Sequence, residues 1–347
     1  MPGLQGSAEP LSSAYQLALL DLDGVVYRGK NPIDHAVESI REAERIGMTI
    51  EYTTNNSSRF PNVVAGQLQG FGLDVEDWQV ITSSIVAARM VARSVPQARR
   101  VLVLGAEHLR HEVESRRGLV VVDDAAAEPQ AVIQGWYPDM SWNQMAQVAF
   151  AVERGATYFV TNRDLTIPRE LGIAPGCGSM IQAVINATGV EPVASAGKPE
   201  SAMYDEARLL AAHDGAEAVA KELCLAIGDR LDTDIEAGNR GGYDSLAVLT
   251  GVTNPAELMR APEHLRPSYI VADLRGLNQA QPQPKQLERN RWSCADAQAW
   301  IDEDAIVVTD EQDINALRAA CSLTWAMQDR GEADTLPAMR LPEFATL

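Results

Sequence analysis

Two carboxylates, Asp21 and Asp23, stand two positions apart where the apolar run Leu17–Leu22 ends, just before Gly24. If that run is a strand, alternation sends both side chains to one side, and Gly24 lets the backbone turn sharply after them. Like charges that close call for a cation. A strand-end Asx turn would explain this pair taken alone. It explains less well a second acidic strand end: Leu223–Ile227 runs into Gly228-Asp229-Arg230-Leu231-Asp232-Thr233-Asp234. Asp232 or Asp234 could cap the helix that follows, whereas Asp229 precedes the turn. Hard oxygen ligands from two strand ends suit Mg²⁺, which keeps several waters and takes one or two carboxylates.

Two weaker signals complete the set. Ile50–Thr53 leads into Thr54-Asn55-Asn56-Ser57-Ser58-Arg59, whose hydroxyls, amides and backbone N–H groups ahead of a Pro61 helix suit a phosphate oxygen or an ordinary polar loop. Gly197-Lys198-Pro199 places one cation before a helix, with Pro199 favouring an extended Lys198. None of the five histidines falls in these segments; His108 and His111, three apart beside Arg110, read as a solvated pair.

These groups need a scaffold that delivers strand ends to one edge. Short apolar runs at Leu17–Leu22, Met48–Thr53, Val101–Leu104, Ala131–Gln134, Tyr158–Val160, Leu223–Ile227, Leu246–Leu249 and Tyr269–Val271 mostly alternate with helical patterns. A crossover helix is expected from Pro32 to Gly47, with Ile33, Val37, Ile40 and Ala43 on one face. Another opens at Thr233 and ends by Gly238 and Gly241–Gly242. This is α/β construction: a doubly wound parallel sheet, in which ligands bind at the carboxyl ends of the strands. The expected core covers residues 1–84 and 192–275, interrupted by an α/β insert at 85–191. A linker at 276–290 precedes a small C-terminal α/β extension, 291–347, with an acidic helix pattern and one strand candidate, Ala305–Val308. That tail reads as an interaction or dimerisation element without catalytic consequence.

Composition narrows the partners. With 29 Lys and Arg against 48 Asp and Glu, the net charge is −19, which opposes a nucleic-acid backbone. No apolar run reaches membrane-spanning length, and the first 27 residues hold no Lys or Arg, so neither membrane nor targeting segment is expected. Cys177, Cys224, Cys294 and Cys321 show no metal-ligand spacing and read as reduced core thiols of a cytoplasmic protein. Oligomeric state, homo-oligomer included, is not encoded in any pattern seen here.

In order, D-x-D, Thr-Asn-Asn, Lys and G-D-x-x-x-x-D resemble the haloacid dehalogenase (HAD) superfamily. The fuller segments Asp21–Tyr27, Thr54–Ser57, Gly197–Pro199 and Gly228–Ile235 are similar to its p-nitrophenylphosphatase and phosphoglycolate phosphatase branch, over about residues 14–275. The resemblance implies a HAD-like Rossmannoid core with a large α/β cap, and a Mg²⁺-dependent phosphatase working through an aspartyl-phosphate. It implies Asp21 as nucleophile and Asp23 as general acid and base. Mg²⁺ would sit on the Asp21 carboxylate, the Asp23 main-chain carbonyl and Asp229, with Asp234 behind them. Thr54 and the Asn55 N–H would hold phosphate oxygens, and Lys198 would balance their charge. Asn162, Arg163, Asp164 and the turn Gly176-Cys177-Gly178-Ser179 match cap segments and are candidates for selecting substrate. A small phosphorylated metabolite is expected, glycerol 3-phosphate first, then phosphoglycolate, pyridoxal phosphate or another small ester. Two alternatives compete: carbon–halogen hydrolysis, which Asp23 opposes, and a phospho-accepting signalling module, which leaves the insert unexplained.

Overall fold

The computed structural model describes residues 3–169, 171–212 and 217–344. All eight apolar runs are strands, because each is short, Leu- or β-branched-rich and closed by a turn or helix signal. The chain divides into two units, residues 1–52, 69–74 and 208–347, and residues 53–68 and 75–207.

In the first unit the strands Tyr269–Val271, Asp244–Val248, Cys224–Gly228 and Leu17–Asp21 lie side by side in that order, followed by residues 49–52 of the strand Thr49–Thr54. The first four pair in parallel. Leu17 to Leu20 and Cys224 to Ile227 are wholly buried, as expected for central parallel strands covered on both faces. Register matters more than pairing here. Leu20 lies opposite Ile227, so Asp21 emerges level with Gly228 and Asp229 stands one residue beyond.

The crossover helix begins at Ala36 rather than at Pro32, because Asn31–Pro32 pairs with Tyr27–Arg28 in a small antiparallel hairpin. It ends where expected, with Gly47 in the left-handed region at φ 117°. The acidic segment after Gly228 is a π-turn, Leu231–Ile235, that continues into the helix Glu236–Gly241. Gly238 therefore lies inside this helix, and Gly242 ends it.

The C-terminal segment holds more structure than its sequence suggests. Strands Lys285–Glu288, Arg291–Cys294, Ala297–Asp302 and Ala305–Val308 form a four-stranded antiparallel sheet, and the helix Ile314–Asp329 packs on it. Residues 276–290, expected as a linker, contain the end of a 3₁₀ turn and the first of these strands. That strand is exposed at every position, so no apolar alternation marks it. Leu317, Cys321 and Trp325 share one apolar cluster with Leu231, Ile235, Leu258 and Met259. The tail therefore covers the segment that follows Asp229.

The second unit contains a parallel sheet with strand order Ala194–Ser195, Thr157–Val160, Ala131–Gln134, Arg100–Leu104, Val120–Val122. Helices Trp142–Glu153 and Cys177–Thr188 cover it with Val148, Ala151, Ile181 and Val184. His108 corrects the solvated-pair expectation: it is fully buried and shares a hydrogen bond of 2.8 Å with Thr82 Oγ1. Burial pushes its pKa down to about 4. His213 lies outside the described residues. Among the described residues, no helix is long and apolar enough to cross a membrane, and all four cysteines are free and buried.

Candidate active site

Asp21, Asp229 and Asp234 converge in the first unit, each offering a carboxylate oxygen within 4.8 Å of the others. Asp229 and Asp234 are each 2% exposed. The local sequence explains the crowding. Gly24 turns the chain at φ 90°, and a side chain at Gly24 or Gly251 would collide with the Asp229 carboxylate. Asp229 Oδ2 accepts the Val252 N–H at 2.7 Å, which fixes its direction. Asp234 Oδ2 accepts the Arg230 N–H at 3.1 Å, so this residue caps its own turn while joining the cluster. Asp232 does not join; it is exposed and pairs with Arg230 at 2.8 Å.

Three like charges this close, mostly withdrawn from water, repel one another unless a cation sits among them. All three donors are hard oxygens from separate points around one space, the donor chemistry that a divalent cation such as Mg²⁺ requires. The residues fit the ion that the sequence implied, with the Asp234 carboxylate beside those of Asp21 and Asp229.

The Asp23 carboxylate is not in that group. It remains solvent-accessible, yet desolvation raises its pKa, opposed by the positive charge of Arg28. Arg28 itself donates to the Thr250 carbonyl at 2.6 Å. The turn that carries Asp23 is closed by Gly24 N–H to the Tyr27 carbonyl at 2.9 Å and Val26 N–H to the Leu22 carbonyl at 2.9 Å.

The second unit assembles the other candidates. Thr54 ends its strand, and its Oγ1 accepts the Asn56 N–H at 3.1 Å. Asn56 Oδ1 then accepts from the Ser58 N–H at 2.8 Å, so the Thr-Asn-Asn-Ser segment is a tight polar turn ahead of the Pro61–Gly70 helix. Asn55, Asn162, Asp164 and Lys198 form one hydrogen-bonded group. Lys198 is 2% exposed, against the expectation for a surface lysine, and its ammonium lies 5.9 Å from the centre of the Tyr204 ring.

The remaining cap candidates make contacts within the second unit. Gly176 and Gly178 pack so tightly on the Asp164 and Arg163 carbonyls that a side chain would clash. Ser179 Oγ donates to the Leu165 carbonyl at 2.7 Å, and Cys177 is buried, its thiol pushed up to about 12. Arg163 pairs with Glu191 at 3.4 Å. Sequence reasoning missed Gly251, Thr250 and Val252, which pack on or bond to the acid-bearing turns. Their only signal was position, in the loop after the strand beside Cys224–Gly228.

Comparison with known proteins gives this geometry its context. Residues 18–117 match the family described as haloacid dehalogenase-like hydrolase, and residues 195–277 match a HAD-hydrolase-like family. The chain is 38% identical over 269 residues to the D-glycerol 3-phosphate phosphatase of Mycobacterium tuberculosis, covering 78% of this chain and 72% of that protein. It is 35% identical to the 5'-nucleotidase YutF of Bacillus subtilis, covering 72% of this chain and 94% of that one. The crystal structure of the M. tuberculosis glycerol phosphate phosphatase in complex with magnesium superposes with a TM-score of 0.78 at 35% identity, covering 91% of this chain and 92% of that one.

Proposed function

The chain belongs to the haloacid dehalogenase-like hydrolases and is a phosphoric monoester hydrolase; we propose that its substrate is glycerol 3-phosphate, which it hydrolyses to glycerol and phosphate. The observation that carries this reading is the convergence of Asp21, Asp229 and Asp234 within 4.8 Å, from two adjacent strand ends and the turn that follows one of them. The choice of substrate is supported by the similarity to a glycerol 3-phosphate phosphatase over most of the chain.

Phosphate monoesters are among the slowest of biological substrates to hydrolyse, and one acid or base supplies only about 10²–10⁴ of the acceleration needed. Charge placement and a covalent step must provide the rest. In this reading the Asp21 carboxylate attacks phosphorus, forming an acyl phosphate as the P–O bond to the leaving group breaks. Asp23, whose pKa desolvation raises, serves as the acid that hands a proton to the departing alkoxide. As a carboxylate it then takes a proton from water, whose oxygen displaces Asp21 from phosphorus and restores both acids.

The Asp21 and Asp229 carboxylates and the Asp23 carbonyl, with Asp234 beside them, would hold Mg²⁺, which would supply the positive charge that an anionic nucleophile needs to approach an anionic ester. Thr54 and the Asn55 N–H would bind phosphate oxygens, and Lys198 would balance their negative charge, the roles that the resemblance implies for them. Choice among esters falls to the α/β insert, residues 85–191, with Asn162, Arg163 and Asp164 its candidate contacts. Four buried free thiols suit the reducing cytoplasm.

The test is phosphate release from glycerol 3-phosphate, phosphoglycolate, pyridoxal phosphate, a sugar phosphate and a nucleoside monophosphate. Turnover with Mg²⁺, its loss with EDTA and its return on adding excess Mg²⁺ are expected, with glycerol 3-phosphate giving the highest kcat/KM. A long-lived phosphoprotein after exposure to acetyl phosphate, with no ester turned over, would instead favour a phospho-accepting module.

A further inference from the structure

Asn55 follows the Thr49–Thr54 strand, and both ends of its amide are engaged. Its Oδ1 accepts the Lys198 main-chain N–H at 2.8 Å, while its Nδ2 donates to the Lys198 carbonyl at 3.0 Å. One side chain therefore grips one residue's backbone at two points. The same Nδ2 lies 3.3 and 3.4 Å from the two carboxylate oxygens of Asp164. The Asn55 carbonyl accepts from Asn162 Nδ2 at 2.9 Å and from Ser83 Oγ at 2.7 Å. Asn162 Oδ1 completes the turn by accepting the Asp164 N–H at 3.2 Å.

Gly197 is what lets these strands of chain approach. A Cβ there would lie 2.7 Å from Asn55 Oδ1 and 2.8 Å from the Thr161 carbonyl. Lys198 is buried, so packing restricts its stem, and the place of its ammonium is inherited from its main chain. Of the short side chains only an amide can both accept from one N–H and donate to a carbonyl and a carboxylate; aspartate offers acceptors alone.

We propose that the Asn55 side chain is a positioning residue, which locks the Lys198 main chain and the Asn162–Asp164 turn into one hub and so sets where the Lys198 ammonium stands. The phosphate-binding turn, the charge-balancing lysine and the insert's candidate contacts are then one mechanical piece. This rests on the phosphatase reading, because it deepens the role of Lys198 there.

The test compares wild type, N55D, N55A, D164N and N55D/D164N in Mg²⁺, using p-nitrophenyl phosphate and following both kinetics and melting temperature. N55D loses the donor to the Lys198 carbonyl and sets a carboxylate against Asp164, so kcat falls at least about 10-fold while KM moves less than about 3-fold. Adding D164N supplies a donor toward the carboxylate introduced at position 55 and recovers about 5-fold of that loss. N55A shows the same kcat-weighted loss, and it decides the matter if N55D does not fold. Activity of N55D or N55A within about 2-fold of wild type overturns the hub, as does a rise in KM at constant kcat, or an N55D defect that D164N leaves untouched. Failure of the phosphatase reading looks different: wild type itself then releases no phosphate.

Discussion

Charge is buried in two places in the first unit, with opposite outcomes. At the strand ends, Asp21, Asp229 and Asp234 bring like charges together. Where the tail packs on the rest of that unit, buried guanidinium groups meet acceptors. Arg318, 8% exposed, donates to the Ile270 carbonyl at 2.7 and 2.9 Å and to Gln281 Oε1 at 2.6 Å. Arg266, 4% exposed, pairs with Asp329 at 2.7 Å and stacks 5.5 Å from the Trp325 ring. A buried charge that completes its bonding within the chain fastens two segments together. Like charges crowded by glycine turns present hard oxygens to one space, and that donor chemistry makes a site for a divalent cation.

Asp21→Asn should break the comparison most visibly. Phosphate release falls by more than about 10⁴-fold, because the nucleophile is gone. The metal-free protein melts no lower than wild type, since one of three repelling charges has been removed. Turnover assays and thermal melts in EDTA check the two halves.

Arg318→Met should do the reverse. It strands the Ile270 carbonyl and Gln281 Oε1 in an apolar setting and costs about 3–5 kcal/mol, read as a lower urea midpoint. The folded fraction keeps its kcat/KM within about 2-fold. A full-strength protein after this change would show that the tail is an appendage, as its sequence suggested, rather than part of the core that covers Leu231 and Ile235.

Glu51 sharpens the contrast as a buried acid that keeps its proton. It is wholly buried, and neither carboxylate oxygen has a hydrogen-bond partner among the described residues. Burial pushes its pKa up from 4.5 to about 9. The native state thus holds a proton that the unfolded chain releases between those values, so the contribution is fully present below about pH 4.5 and is lost as pH rises toward 9. Glu51→Leu should flatten that slope and raise stability at pH 7 by about 2–3 kcal/mol, measured by denaturant unfolding across pH.

The smallest effect belongs to Asp232→Ala. This acid lies between Asp229 and Asp234 in sequence but forms an exposed pair with Arg230, the side chains 61% and 45% accessible. Stability should shift by less than about 0.5 kcal/mol and turnover by less than 2-fold. A large loss would move Asp232 into the site.

Much of this was readable from residues in a row. Asp21 and Asp229 each end an apolar run and precede a turn, a pattern that declares both the strand and the edge it serves. Strands at Lys285–Glu288 and Arg291–Cys294 were not readable, because exposed or half-exposed strands carry no apolar alternation. His108 read as solvent-facing because its burial comes from Phe60, 4.8 Å between ring centres, and from Thr82. Neither is near it in sequence.

The sequence by itself determined the parallel α/β plan, the acids at two strand ends and the resemblance to HAD phosphatases. Period, glycine and proline act over a few residues, so they can be read locally. The tertiary structure alone decided that Asp234 joins Asp21 and Asp229 while Asp232 does not, that Lys198 is buried, and that Asn55 grips it. Those outcomes depend on the register of Leu17–Leu20 against Cys224–Ile227 and on hydrogen bonds joining residues 109 and 143 positions apart. No pattern of neighbours encodes such pairings, because they exist only once the chain has closed its long loops.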